Sequence, residues 1–137
     1  SKLAITNKTR TKNKYPDMRL YQEIIFLENY FTSKYVVENV IPYYQPLIPA
    51  QKRGRHLYWC NFKLPQINEL KNGIIGDGKN RVKRLSVYHD YDFTKYKGKQ
   101  SLQKIAANLV HYETGRIILN TALGIIEKQN VQQTELF

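Results

Sequence analysis

Two β-prone runs stand on either side of a segment that three prolines keep out of regular structure, and this arrangement constrains the chain more than any other. Val36-Val37-Glu38-Asn39-Val40 is apolar and β-branched apart from one carboxylate and one amide, the pattern of a buried strand that ends at a reactive site. Ile41 to Pro49 contains Pro42, Pro46 and Pro49. Each proline removes a backbone donor and biases the residue before it toward extended conformations, so a stiff loop carrying Tyr43 and Tyr44 is expected. Arg55 to Phe62 reads as the second strand, aromatic and β-prone through His56, Tyr58 and Trp59. Just before it, Gln51-Lys52-Arg53-Gly54-Arg55 sets two guanidinium groups two residues apart, and an extended backbone turns both to one side.

Before the first run, residues 1–19 are polar and carry Lys2, Lys8, Arg10, Lys12, Lys14 and Arg19 against Asp17 alone, which predicts a mobile basic arm. Asp17 is placed to cap a helix whose apolar residues Leu20, Ile24, Leu27 and Phe31 share a face. Helix followed by strand is the unit that builds a parallel, helix-covered sheet, and such sheets hold ligands at the carboxyl ends of their strands. Glu38 and Asn39 are expected there.

After the second strand, Leu64 to Asn80 contains Pro65, Gly73, Gly76 and Gly78 and predicts a loop-rich insertion. Arg81 to Phe93 alternates charge with Val82, Leu85, Val87, Tyr88, Tyr91 and Phe93, suggesting a short strand or hairpin. A helix is expected from Ser101, with Leu102, Ile105, Ala106 and Leu109 on one face, and a last helix capped by Thr114 and running through Ile126. There is no internal repeat.

The 137 residues amount to one domain or part of one. Lys and Arg number 22 against 11 Asp and Glu, a formal charge of +11 that favours a polyanionic partner, nucleic acid first among them. Cys60 is the single cysteine, so an internal disulfide is excluded and a reducing compartment is the default. No apolar run reaches the roughly 20 residues a membrane span needs, which predicts a soluble protein. His56, His89 and His111 lack ligand spacing with one another or with Cys60, so no metal site is expected. Cys60 reads as an inert buried thiol and Trp59 as core.

Glu-Asn-Val followed by Gln-x-Arg-x-Arg is also the order of two motifs in the DNA cytosine-5 methyltransferases, and residues 36–55 resemble them. Asn108-Leu109-Val110, followed by Gly115 and Ile117-Ile118-Leu119, is similar to the family's final motif, with His111-Tyr112-Glu113 where a proline is usual. The resemblance implies a partial Rossmann-like, α/β sheet of a methyltransferase that uses S-adenosylmethionine. Residues 1–63 would belong to the catalytic domain, 64–99 would be a small target-recognition insertion, and 100–137 would be helices returning to the catalytic domain.

Methylating C5 of cytosine needs a thiolate to add to C6, which pushes electron density onto N3 and O2 of the ring. By the resemblance, Glu38 holds the N3 and amino edge of a flipped-out cytosine, with its pKa raised by burial. Arg55 contacts the base oxygen, Arg53 lies toward the phosphate, and Asn108 lies beside S-adenosylmethionine. Lys8, Arg10, Lys12 and Lys14 on the arm, with Arg81, Lys83 and Arg84 in the recognition region, would meet double-stranded DNA. Neither Pro-Cys nor Gly-x-Gly precedes Glu38. The chain thus reads as a C-terminal portion, inactive alone, that needs a missing N-terminal half or a complementary subunit, or that pairs with itself as a homodimer. A restriction-modification or phage setting in a bacterial cytoplasm follows from the same resemblance.

Simpler readings stay open for these residues. Glu38 could be a solvated residue, and Arg53 and Arg55 could coat a strand edge against aggregation. The whole could be a non-catalytic basic module that binds nucleic acid through Tyr43, Tyr44, Tyr88 and Tyr91. A nuclease is the weaker rival, resting on Asp90 and Asp92 near Glu113.

Overall fold

The computed structural model describes residues 16–42, 44–67 and 80–125. Helix α1 spans Met18–Tyr30 and begins where the Arg19 amide donates to Asp17 at 3.0 Å, satisfying one of the donors that a helix start leaves orphaned. Its buried stripe is Tyr21 and Ile24, while Met18, Ile25, Phe26 and Tyr30 face outward. Arg19 therefore belongs to a helix and not to an arm; Lys8, Arg10, Lys12 and Lys14 lie outside the described residues.

Strands β1 (Val36–Val40), β2 (Gln51–Arg53) and β3 (His56–Cys60) form one sheet in the order β1-β3-β2, with both pairings antiparallel. The chain is thus mixed α/β, but the parallel pairing expected from the helix-then-strand order is absent among the described strands. Parallel neighbours need a crossover of a dozen or more residues, whereas β2 and β3 are joined by the two-residue loop Gly54-Arg55. Gly54, at φ 53°, takes the left-handed conformation such a loop requires at its first position. β1 also continues past Asn39 to Val40, and the Ile41 amide donates to the Arg55 carbonyl at 3.0 Å. Glu38 is mid-strand, not at a strand end, because pairing with β3 extends the ladder.

β3 is the middle strand, and His56, Leu57, Tyr58 and Trp59 are all buried. Four consecutive buried residues mean that both faces are covered. Leu57 and Trp59 pack with Tyr21 and Ile24 of α1, joined at their edges by Val37, Tyr44 and Ile48. Tyr58 packs on the other face against Leu64 and Ile118, with Cys60, Phe62 and Ile67 around them. The proline-rich loop is tied down by polar ends of the same core: the Trp59 indole donates to the Ile48 carbonyl at 2.9 Å, and the Leu47 amide donates to the Tyr21 hydroxyl at 3.2 Å. Tyr and Trp serve this purpose because each has an apolar body and one polar tip.

Three helices follow: α2 (Arg81–His89), α3 (Leu102–Asn108) and α4 (Tyr112–Ala122), with a 3-10 turn at Phe93–Lys95. α2 replaces the strand or hairpin expected at Arg81 to Phe93. Its inward residues Val82, Leu85 and His89 recur at helical spacing, and Asp90 closes it in the left-handed region at φ 49°. α4 is capped by His111, whose Nδ1 accepts from the Glu113 amide at 3.2 Å. Thr114, the expected cap, is buried inside that helix. Leu85, Phe93 and Ala106 make a third core, distinct from the two flanking the sheet. Among the described residues no helix is long and apolar enough to cross a membrane.

Ile24 is almost wholly enclosed between α1 and the sheet. Ile24→Ala should lower unfolding free energy by about 3 kcal/mol, read as a lower urea midpoint with an unchanged slope. An unchanged midpoint would mean that α1 is not packed as described.

Candidate functional site

The antiparallel register puts the sequence-selected residues into rows. Glu38, Tyr58 and Gln51 lie side by side across the three strands, and Val40, His56 and Arg53 form the next row on the same face. The opposite face carries Asn39, Leu57 and Lys52. Glu38 and Asn39, adjacent in sequence, therefore point to opposite sides of the sheet.

Glu38 Oε1 lies 3.8 Å from His56 Nε2, a distance for charge attraction to a protonated imidazole and too long for a hydrogen bond. The Glu38 side chain is 34% exposed, against 6% for His56. The burial expected of Glu38 is thus not present among the described residues, because β1 is at the sheet's margin there and only β3 flanks it.

Arg53 and Arg55 do not share one extended strand, since the Gly54 turn separates them. Arg53 gives its fork to three carbonyls: Lys52 at 2.7 Å, Leu64 and Pro65. A guanidinium spent on backbone oxygens secures a loop, so Arg53 holds the stretch that follows β3. Gln51 does the same from the next row. Its amide donates to the Phe62 carbonyl at 2.7 Å, and its oxygen accepts from the Leu64 amide at 2.9 Å. The Cys60 thiol sits in this clamp, near Gln51 Nε2 at 3.1 Å and donating to the Phe62 carbonyl at 3.2 Å. Burial pushes the thiol's pKa up despite the Phe62 contact and the Arg53 charge, which keeps it protonated and a poor nucleophile.

Arg55 turns the other way, and its Nη1 donates to the Ala107 carbonyl at 3.2 Å on α3. Asn108, exposed, is the next residue and the last of that helix. The fold therefore joins Arg55 to the neighbourhood of Asn108, while Arg53 faces the loop at residues 64–65. Arg81, Lys83 and Arg84 occupy the first turns of α2, with Lys83 and Arg84 exposed.

Around the end of α2 an aromatic cluster gathers that no sequence motif announced. His89 is buried and its Nε2 lies 3.1 Å from the Ala106 carbonyl; a carbonyl only accepts, so Nε2 carries the proton. His111 Nε2 likewise donates to the Tyr88 carbonyl at 2.9 Å. The His111 ring lies 4.6 Å from both Tyr88 and Tyr112, and His89 meets Phe93 edge-on at 5.8 Å. Of the three carboxylates that motivated a nuclease, Asp92 is bonded to Thr94 and Glu113 to Arg116, both at 2.6 Å. Those Thr94 hydrogen bonds hold the Asp92 carboxyl below its usual range. Among the described residues no group of three His, Cys, Asp or Glu is placed to hold a metal.

No protein-family model matches the chain, and no curated protein or solved structure matches it.

Burial holds His89 below the ordinary imidazole range, with the Ala106 hydrogen bond opposing that shift and the charges of His111 and His56 adding to it. In the unfolded chain it titrates near 6.5. Below that pH the unfolded state takes up a proton that the folded state resists, so stability is full above about 6.5 and falls as the pH drops. The melting temperature should decline between about pH 7 and about pH 5, and His89→Gln, which keeps an N–H for Ala106, should flatten the decline. Equal slopes for both proteins would exclude His89 as the source.

Proposed function

We propose that this chain supplies the target-base face of a DNA cytosine-5 methyltransferase. The observation that carries the reading is the joining of Ile41 to Arg55 at 3.0 Å, which sets the Glu-Asn-Val strand against the turn of the Gln-x-Arg-x-Arg segment. Two motifs separated by a proline-rich loop thereby become neighbours, with Glu38 in the middle of β1 and Arg55 in the turn that leads into β3. The sheet is compatible with that role. β1 and β2 run the same way with β3 reversed between them, as where an antiparallel strand enters a largely parallel, doubly wound sheet. The exposed outer face of α1, with Met18, Ile25, Phe26 and Tyr30, would be covered by the N-terminal half or complementary subunit that provides the nucleophile.

In this reading Glu38 accepts from the cytosine amino group and shares a proton with N3, while Arg55 neutralises density at the base oxygen. Closing the base over Glu38 would supply the desolvation that the carboxyl needs to bind a proton near neutrality. Gln51 and Arg53 keep residues 62–65, the start of the proposed recognition insertion, fixed on the sheet. S-adenosylmethionine would be the methyl donor. Asn108, at the end of α3, is the residue that would lie beside it, and the described residues hold no glycine-rich strand-to-helix turn.

A non-catalytic nucleic-acid module is the second reading, favoured by the exposure of Glu38 and by an Arg53 occupied with carbonyls. The test is transfer of labelled methyl groups to duplex DNA by this chain joined to an N-terminal half carrying the cysteine and donor site. Glu38→Gln and Arg55→Ala should each lower turnover roughly 100- to 10,000-fold with little change in salt-dependent duplex binding. Tight binding without any methyl transfer by the joined protein would favour the second reading, and magnesium-dependent cleavage would refute both.

A further inference from the structure

We propose that the cavity between the end of α2 and the start of α4 receives an unpaired nucleobase from a single-stranded nucleic acid. The cavity measures about 480 Å³ and is lined by His89, Asp90, Tyr91, Leu109, Val110 and Tyr112. That volume falls in the range of small-molecule sites, and five of the six lining residues present apolar or aromatic surface.

Its two tyrosines are the first reason. Tyr91 is 50% exposed and Tyr112 58% exposed, yet neither ring stands alone. Tyr91 rests edge-on against the buried Phe93 at 5.2 Å. Tyr112 stacks at 4.6 Å and 30° on His111, which the Tyr88 carbonyl holds through Nε2. Rings fixed from behind and open in front are pre-organised stacking platforms, so a base placed on them costs little further ordering.

Charge supplies the second reason. From Arg81 to Arg116 the chain carries Arg81, Lys83, Arg84, Lys95, Lys97, Lys99, Lys104 and Arg116 against Asp90, Asp92 and Glu113. Asp92 is bonded to Thr94 and Glu113 to Arg116. Asp90 is the one carboxylate lining the cavity. The chain's formal charge of +11 attracts a phosphate backbone, whereas the Asp90 carboxylate within the cavity repels phosphate and accepts from an exocyclic amine. The arrangement therefore takes the base inward and leaves the backbone outside, with preference for bases that carry an amino group. This site involves neither Glu38 nor Arg55 and stands independently of methyl transfer.

The experiment uses the full chain and a short, fluorescently labelled single-stranded oligodeoxynucleotide, followed by anisotropy at salt high enough to suppress phosphate-only binding. Tyr91→Ala and Tyr112→Ala should each weaken binding roughly tenfold, Tyr91→Phe and Tyr112→Phe should restore it, and an abasic oligonucleotide should bind as weakly as the alanine variants bind the intact one. Asp90→Asn should reduce the preference for amino-bearing bases. The proposal is overturned if the abasic strand binds like the intact strand, if folded alanine variants bind like the parent protein, or if duplex displaces the single strand at equal concentration. The abasic comparison needs no variant, so a substitution that unfolds the protein leaves it decisive.

Discussion

Everything described in this chain depends on β3 being covered on both faces. A short strand with His56, Leu57, Tyr58 and Trp59 all withdrawn from water needs a layer on each side. α1 with the proline-rich loop forms one layer, and α4 with residues 62–67 forms the other. The apolar residues bring the layers together. Their polar ends then select one arrangement: the Trp59 indole and the Tyr21 hydroxyl each fix a point on a loop that prolines prevent from forming a ladder of its own.

The second layer shows how the residues of one short stretch divide between two jobs. Gln51 and Arg53 face the same side as Glu38, but their hydrogen bonds run to the backbone of residues 62–65. Those carbonyls and amides are outside any strand and would otherwise require water. Only Arg55, thrown out by the Gly54 turn, reaches toward α3. In the proposed enzyme the first two residues of Gln-x-Arg-x-Arg would position, and the last would touch the base.

The sequence was most readable where one periodicity dominated. The Asp17 cap, α1, both long strands and the start of α3 follow from capping chemistry and apolar spacing. It was misread where two patterns overlapped. Arg81 to Phe93 alternates charge like a strand, but Leu85 and His89 are the residues that find a core, and burial outweighs alternation. The cap at His111 gives no clear signal in the sequence because an imidazole nitrogen is an uncommon acceptor at a helix start, whereas Thr114 is of a type that commonly caps. For the site, neighbouring rows could not be read at all: that Glu38 sits beside Tyr58 and one row from His56 depends on register, which a single sequence leaves open. The aromatic cluster likewise assembles from Tyr88, His89, Phe93, His111 and Tyr112, residues from three separate elements with no shared spacing.

The third core has a consequence for how the protein comes apart. Leu85, Phe93 and Ala106 form a core of their own, and the polar ties from the sheet to α3 include the reach of Arg55 to Ala107. Such a unit opens and recloses at a free energy of its own, below that of the whole molecule. Amide protons of α2 and α3 would then exchange with solvent in concert while those of β3 remain locked, giving the chain two rhythms of breathing instead of one.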